Sequence, residues 1–218
     1  LPIDNARAQA FEWKDSTADI IIPSSTGTRE WTAISQSDVE QYIDWGPFFS
    51  AWELRASYKK MMNDPEVGEQ YRNLMRDAES MLELMRNDTR LSMAGVYGYY
   101  PANRSGDDIV IYTDDTRSSE LTRFHMLRQQ KRRQGKPGSY YCLADFVAPI
   151  ESKCADYIGA FAVTAGLGLQ ELVNEYEAAG DDYNAIMLKA LADRLAEAMA
   201  EKIHLKMRLE WGLESGDA

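Results

Sequence analysis

One carboxylate in this chain sits where carboxylates are rarely placed. In Tyr42–Phe49, YIDWGPFF, Asp44 is flanked by Tyr42, Trp45, Phe48 and Phe49. Burying such a group among rings is costly unless a cation or several donors meet it. Two readings are open: a helix-end or turn Asp accepting backbone N–H bonds, or an anchor for a ligand ammonium, with aromatic faces close by for a second cationic centre. A sulfonium ligand bearing an amino group satisfies both features of the second reading. Further along, Asp193, Glu197, Glu201 and His204 recur at steps of four, four and three, which places them on one helix face. Glu201-x-x-His204 has the form of a di-iron ligand pair, which requires a second such pair and two more carboxylates. The other histidine, His125, has Thr122 three residues before it. The expectation is therefore no metal site and a polar helix face, with Glu197 turned toward a cleft.

Other motifs are weaker. Gly166-Leu-Gly168 has the start of a phosphate loop, but Glu171 stands at the third glycine position and would repel a pyrophosphate, so it reads as a strand-to-helix turn. Arg128–Lys136, RQQKRRQGK, is a concentrated positive run. It reads either as a solvated helix C-terminus, where cations suit the dipole, or as a docking surface for an acidic protein. Gly-x-Ser-x-Gly, Cys-x-x-Cys and the cobalamin-binding Asp-x-His-x-x-Gly pattern are all missing. No nucleophile, base and orienter assemble, so no catalytic residue is assigned and the chain alone is not expected to be an autonomous hydrolase or redox enzyme.

The elements that must hold these groups change character at Gly95. Before it, residues 1–40 read as an N-terminal arm or linker, with a short helix over Ala6–Trp13 and a Ser37-x-x-Glu40 capping box. Phe48–Lys60 and Pro65–Met85 read as helices. In the second, Tyr71, Leu74, Met75, Ala78, Met81, Leu82 and Met85 recur at three- and four-residue steps, which marks a core face. After it, Val96–Tyr100, Ile109–Tyr112, Tyr140–Val147 and Tyr157–Thr164 read as strands. The first two flank a turn whose Pro101, Asn103, Arg104, Gly106, Asp107 and Asp108 look too polar for packing alone. Glu120–Gln134, Gln170–Ala179 and Tyr183–Arg208 read as helices, the last with a Leu188, Leu191, Leu195, Met199 stripe. The order predicts an α+β fold, antiparallel sheet packed by helices, with residues 41–218 as the main domain of what is a single domain overall.

Composition narrows the function classes. The chain has 218 residues, 44% of them hydrophobic, and a net charge of −11 from 24 Lys and Arg against 35 Asp and Glu. That balance repels a phosphate backbone, so no nucleic-acid partner is expected. With a mean hydropathy of −0.47 and no apolar run near the ~18 residues of a membrane span, no membrane partner is expected either. Cys142 and Cys154 lie in or beside apolar runs, as small buried hydrophobes do, and a reducing, cytoplasmic setting fits them. The first residue is Leu1, which suggests numbering that begins inside a longer or processed protein.

Six ordered blocks carry a resemblance: YIDWGPFF at 42–49, YPANRSGDDIVIY at 100–112, LRQQ at 127–130, YCLADFVAP at 141–149, DYIGAFAVTAG at 156–166 and DDYNAIMLKALADRLAEAMAE at 181–201. Together they resemble the activation, S-adenosylmethionine-binding domain of cobalamin-dependent methionine synthase. The resemblance implies a C-shaped α+β domain on a twisted antiparallel sheet. It implies reductive repair of cob(II)alamin: the domain docks on a cobalamin-binding module, flavodoxin or a flavoprotein reductase supplies an electron, and the reduced cobalt takes the methyl group of bound S-adenosylmethionine. Cobalamin would be held by the partner module. Position by position, Asp44 matches the aspartate that binds the ligand's amino group, and Glu197 a glutamate near the same end. The family's Arg-Pro-x-Pro-Gly-Tyr-Pro motif, beyond the long helix, is not reached before the sequence ends at WGLESGDA. An alternative function is a shortened interaction module that docks a corrinoid protein or a reductase through Arg128–Lys136 without binding S-adenosylmethionine.

Overall fold

The computed structural model describes residues 1–13, 20–32, 34–54, 57–131 and 138–214. Helices α1 (Ile3–Arg7), α2 (Gln36–Glu40), α3 (Trp45–Ala51), α4 (Tyr58–Met61), α5 (Gly68–Asn87), α6 (Leu169–Ala178) and α7 (Asp182–Trp211) accompany an open antiparallel sheet of five strands. These are β1 (Gly27–Trp31), β2 (Ser92–Ser105), β3 (Asp108–Tyr112), β4 (Glu120–His125) and β5 (Asp156–Leu167), ordered β1-β2-β3-β4 with β5 also on β2. The α+β class expected from the sequence is the class observed. Two compact units emerge: Leu1–Arg29 with Gly98–Ala160 and Met207–Ala218, and Glu30–Tyr97 with Phe161–Lys206.

The second unit is the helical one. Its core takes Val39 and Ile43 from around α2, Phe48 and Phe49 from α3, and the α5 stripe of Tyr71, Leu74, Ala78, Met81, Leu82 and Met85. Leu172 and Val173 of α6 and Leu188, Leu191, Leu195 and Met199 of α7 complete it. Both long stripes therefore face where their periodicity puts them, and Met75 lies at the margin. The Gly166–Gly168 turn is also as expected, since Gly168 begins α6 at φ 81°. A Cβ there would stand 2.0 Å from the Arg90 carbonyl oxygen, so no other residue fits.

In the first unit β2 and β3 form a hairpin in register Ala102↔Ile111 to Ser105↔Asp108, closed by Gly106 (φ 62°) and Asp107. A glycine with positive φ at the first of two turn positions suits the twist of the flanking strands. The turn is tighter than the sequence suggested, because Pro101, Asn103 and Arg104 lie within β2. Their polar groups are taken up internally. Asn103 donates to the Ala148 and Cys154 carbonyls at 3.0 and 2.9 Å, and Arg104 donates to Asp145 at 3.1 Å. Arg128 is buried and pairs with Asp145 at 2.7 and 2.8 Å and with Asp107 at 2.7 and 2.9 Å; Arg7 closes the cluster onto Asp107 at 2.8 Å. Both cysteines are buried, and burial pushes the thiol of Cys142 up.

Several expected elements are corrected. Glu120–Gln134 is not a helix: Glu120–His125 is β4, paired antiparallel with β3 from Asp108↔His125 to Ile111↔Thr122. Residues 126–131 carry no regular element, and 132–137 lie outside the described residues. Tyr140–Val147 is not a strand. Leu143–Phe146 forms a 3-10 turn because Asp145 folds back, accepts the Cys142 N–H at 2.9 Å and meets both arginines. The helix read over Phe48–Lys60 is broken into α3 and α4, with Glu53 at φ 63° after α3. The Ser37 capping box does not form, since α2 starts after Ser35 and Glu40 is held by Arg86 at 2.7 Å. The first helix is Ile3–Arg7 rather than Ala6–Trp13.

Asp145 is fully buried. Burial alone would raise its pKa, but the hydrogen bonds from Arg128 and Cys142 N–H, with the charges of Arg128 and Arg104, hold it below the usual carboxylate range. Its stabilisation is therefore complete above the unfolded value of about 4 and is lost as pH falls through the lower folded value. Asp145→Asn leaves two arginines short of a counter-charge and is expected to cost about 3–5 kcal/mol in urea unfolding at pH 7. The variant should also lose stability less steeply than the parent below about pH 4; equal slopes would contradict this assignment.

Candidate functional site

Asp44 heads α3, with extended backbone at φ −80° and ψ 109°, and its Oδ1 accepts the Gly46 N–H at 2.9 Å. The N-cap reading is thus realised. The carboxylate is not buried among rings, however: Asp44 is exposed, while Phe48 and Phe49 on the inner side of the helix are the buried residues. The separation follows from helix geometry, because the capping residue precedes the first turn and Phe48 and Phe49 follow within it. Trp45 stands edge-on to Phe48 at 5.4 Å between ring centres, and Phe49 packs on Tyr58 and Tyr71 at 5.2 and 5.1 Å. The rings therefore fix α3, and α3 fixes Asp44. Among the described residues Oδ2 of Asp44 has no partner, and the residue is exposed at the helix N-terminus.

Glu197 lies on the outward face of α7 with Asp193, Glu201 and His204, opposite the buried stripe. Its side chain is 61% exposed and takes a two-point contact from Arg194, Nη1 to Oε2 at 2.6 Å and Nη2 to Oε1 at 2.9 Å. His204 stands 6.4 Å from the Phe161 ring. Among the described residues no three His, Cys, Asp or Glu side chains converge as a metal site would require.

Two of the clefts formed by the described residues lie in the helical unit. One, of about 660 Å³, is lined by Trp31, Met93, Gly95, Val96, Val163 and Thr164. The other, of about 450 Å³, is lined by Gln36, Arg86, Ser92 and Leu195 among others. Neither is lined by Asp44 or Glu197, so the cleft expected beside Glu197 is not one of these two. Gly95 helps shape the first: a Cβ there would meet Trp31 at 3.0 Å and Val163 at 3.3 Å.

Arg194 is the residue that the sequence reading passed over, although its three-residue offset from Glu197 was visible. The basic run is also altered. Arg128 belongs to the buried cluster rather than to any docking surface, Lys131 is exposed, and Arg132 and Arg133 lie outside the described residues.

Residues 35–218 match the family described as "Vitamin B12 dependent methionine synthase, activation domain". The chain belongs to this family. A solved structure, "Crystal Structure of the MetH Reactivation Domain bound to AdoHcy", matches the whole chain at 44% identity with a TM-score of 0.90. The present chain spans 66% of the length of that structure's chain. The activation-domain family thus accounts for the fold as well as for the six sequence blocks. No helix among the described residues is long and apolar enough to cross a membrane.

The capping role of Asp44 is separable from its charge. Asp44→Ala is expected to lower stability by about 1 kcal/mol, whereas Asp44→Asn and Asp44→Ser, which keep an acceptor for the Gly46 N–H, should change it by a few tenths. Chemical denaturation of the three variants checks this, and equal losses in all three would show that the cap contributes nothing.

Proposed function

We propose that this activation domain binds S-adenosylmethionine, with Oδ2 of Asp44 accepting from the ligand's ammonium and Glu197 bordering the same end. The observation that carries the reading is the divided carboxylate of Asp44, one oxygen engaged by Gly46 and the other unpartnered among the described residues, in a chain 44% identical to a domain crystallised with AdoHcy. A charged acceptor held on a helix end loses little orientational freedom when the ammonium arrives, which favours binding.

In this reading the chain holds and aims the methyl donor. The nucleophile, a reduced corrinoid, is supplied by a separate cobalamin-binding module, and a flavodoxin or flavoprotein reductase supplies the electron. Methyl transfer from a sulfonium to such a nucleophile needs little proton transfer, so positioning is the protein's main contribution. Cobalamin is then a partner's cofactor and not one bound by this chain.

Calorimetric titration with S-adenosylhomocysteine and S-adenosylmethionine tests the proposal. Asp44→Asn keeps the cap and removes the charge, and is expected to weaken both ligands by roughly ten- to a hundred-fold, the usual value of a hydrogen bond to a charged group. Unchanged affinity in a variant of parental stability would rule out Asp44 as the ammonium anchor.

A further inference from the structure

We propose that the helical unit carries a second ligand site, for a small amphiphilic anion with an apolar body and one acidic head. The clefts at Gly95 and at Arg86 share Met93. Their linings also follow one another along the same three segments: 30–32 and 34–36, 91–93 and 93–96, 162–164 and 165. They are therefore two halves of one trough, of about 660 and 450 Å³, within the size range of small-molecule sites.

The halves differ in chemistry. The larger is mainly apolar, lined by Trp31, Ala94, Val96, Ala162 and Val163 among others, with the exposed Glu30 as its one carboxylate. Trp31, Met93 and Val163 also pack against the buried core. Gly95, having no Cβ, lets Trp31 and Val163 close over β2, so this half is preformed. The smaller half is lined by Ser35, Gln36, Arg86 and Ser92, and among the described residues by no carboxylate, in a chain of net charge −11. Its donors are only partly used. Arg86 gives Nη2 to both oxygens of Glu40, at 2.8 and 2.7 Å, and Gln36 gives Nε2 to the same carboxylate at 2.7 Å. Among the described residues Nη1 and Nε of Arg86 and the hydroxyls of Ser35 and Ser92 have no partner. Spare guanidinium N–H groups and hydroxyls are what a carboxylate or sulfonate accepts from. Asp44 lines neither half, so this site does not depend on the reading of that residue.

The full 218-residue chain, titrated with 8-anilinonaphthalene-1-sulfonate while backbone amide shifts are followed, provides the test. That probe joins an aromatic body to one sulfonate. Saturable one-to-one binding is expected, with shifts concentrated at 92–96 and 162–165. Ser92→Asp sets a carboxylate in the donor end without touching the Arg86–Glu40 pair, and should weaken binding about ten-fold. Val96→Glu charges the apolar wall and should weaken it by about the same factor. Both positions are exposed, so parental stability is expected of both variants and is checked by urea unfolding. Saturating S-adenosylhomocysteine should leave the probe bound. Binding that does not saturate, equal affinity in the parent and both variants, or displacement of the probe by S-adenosylhomocysteine would each overturn the assignment.

Discussion

A carboxylate has two oxygens, and at the head of α3 the fold engages one of them. Oδ1 of Asp44 closes the first turn through the Gly46 N–H, which fixes the side chain without neutralising it. The methyl-donor reading of this domain depends on that division. If both oxygens were engaged internally, the group would be a structural cap; if neither were, it would be a mobile surface charge with no defined direction. The aromatic residues around it serve the same end indirectly, by seating Phe48 and Phe49 in the core so that α3 has a fixed orientation.

The other conspicuous charges in the molecule are arranged in the opposite way. In the first unit Asp145 accepts from Arg104, Arg128 and the Cys142 N–H, and Asp107 accepts from Arg128 and Arg7. Those carboxylates have partners on all sides and hold a hairpin turn, a 3-10 turn and the N-terminal helix together. Such clusters are costly to break but leave no unanswered charge for a ligand. The hairpin whose turn residues looked too polar for packing alone is therefore a structural joint. The methyl-donor chemistry proposed here lies on α3 and α7, where the charges are exposed and sparsely paired.

How much of this was legible beforehand depends on the kind of signal each segment carries. The stripes of α5 and α7 were readable because burial on one face imposes a helical period, and both are buried as expected. The β2–β3 pair was readable from its β-branched and aromatic residues. Strand β4 was not, because both of its faces are largely exposed and no alternation of apolar residues is required of it. Its pairing with β3 decides the matter, and pairing is invisible in a single sequence. The segment around Asp145 misled for a different reason: an apolar run suggested a strand, but a buried carboxylate that needs several donors pulls the chain into a turn. Asp44 was legible as a helix-end residue, and it caps α3, yet its exposure was misjudged, since neighbours in sequence on a helix end do not surround one another. The offset from Arg194 to Glu197 was plain and gained meaning only when the side chains were seen to meet.

The most direct test of the central claim is a crystal structure of this chain with S-adenosylhomocysteine. The account predicts the ligand ammonium within hydrogen-bonding distance of Asp44 Oδ2, with Oδ1 still accepting from the Gly46 N–H. A ligand whose ammonium is held elsewhere, with Oδ2 of Asp44 left facing solvent, would contradict it.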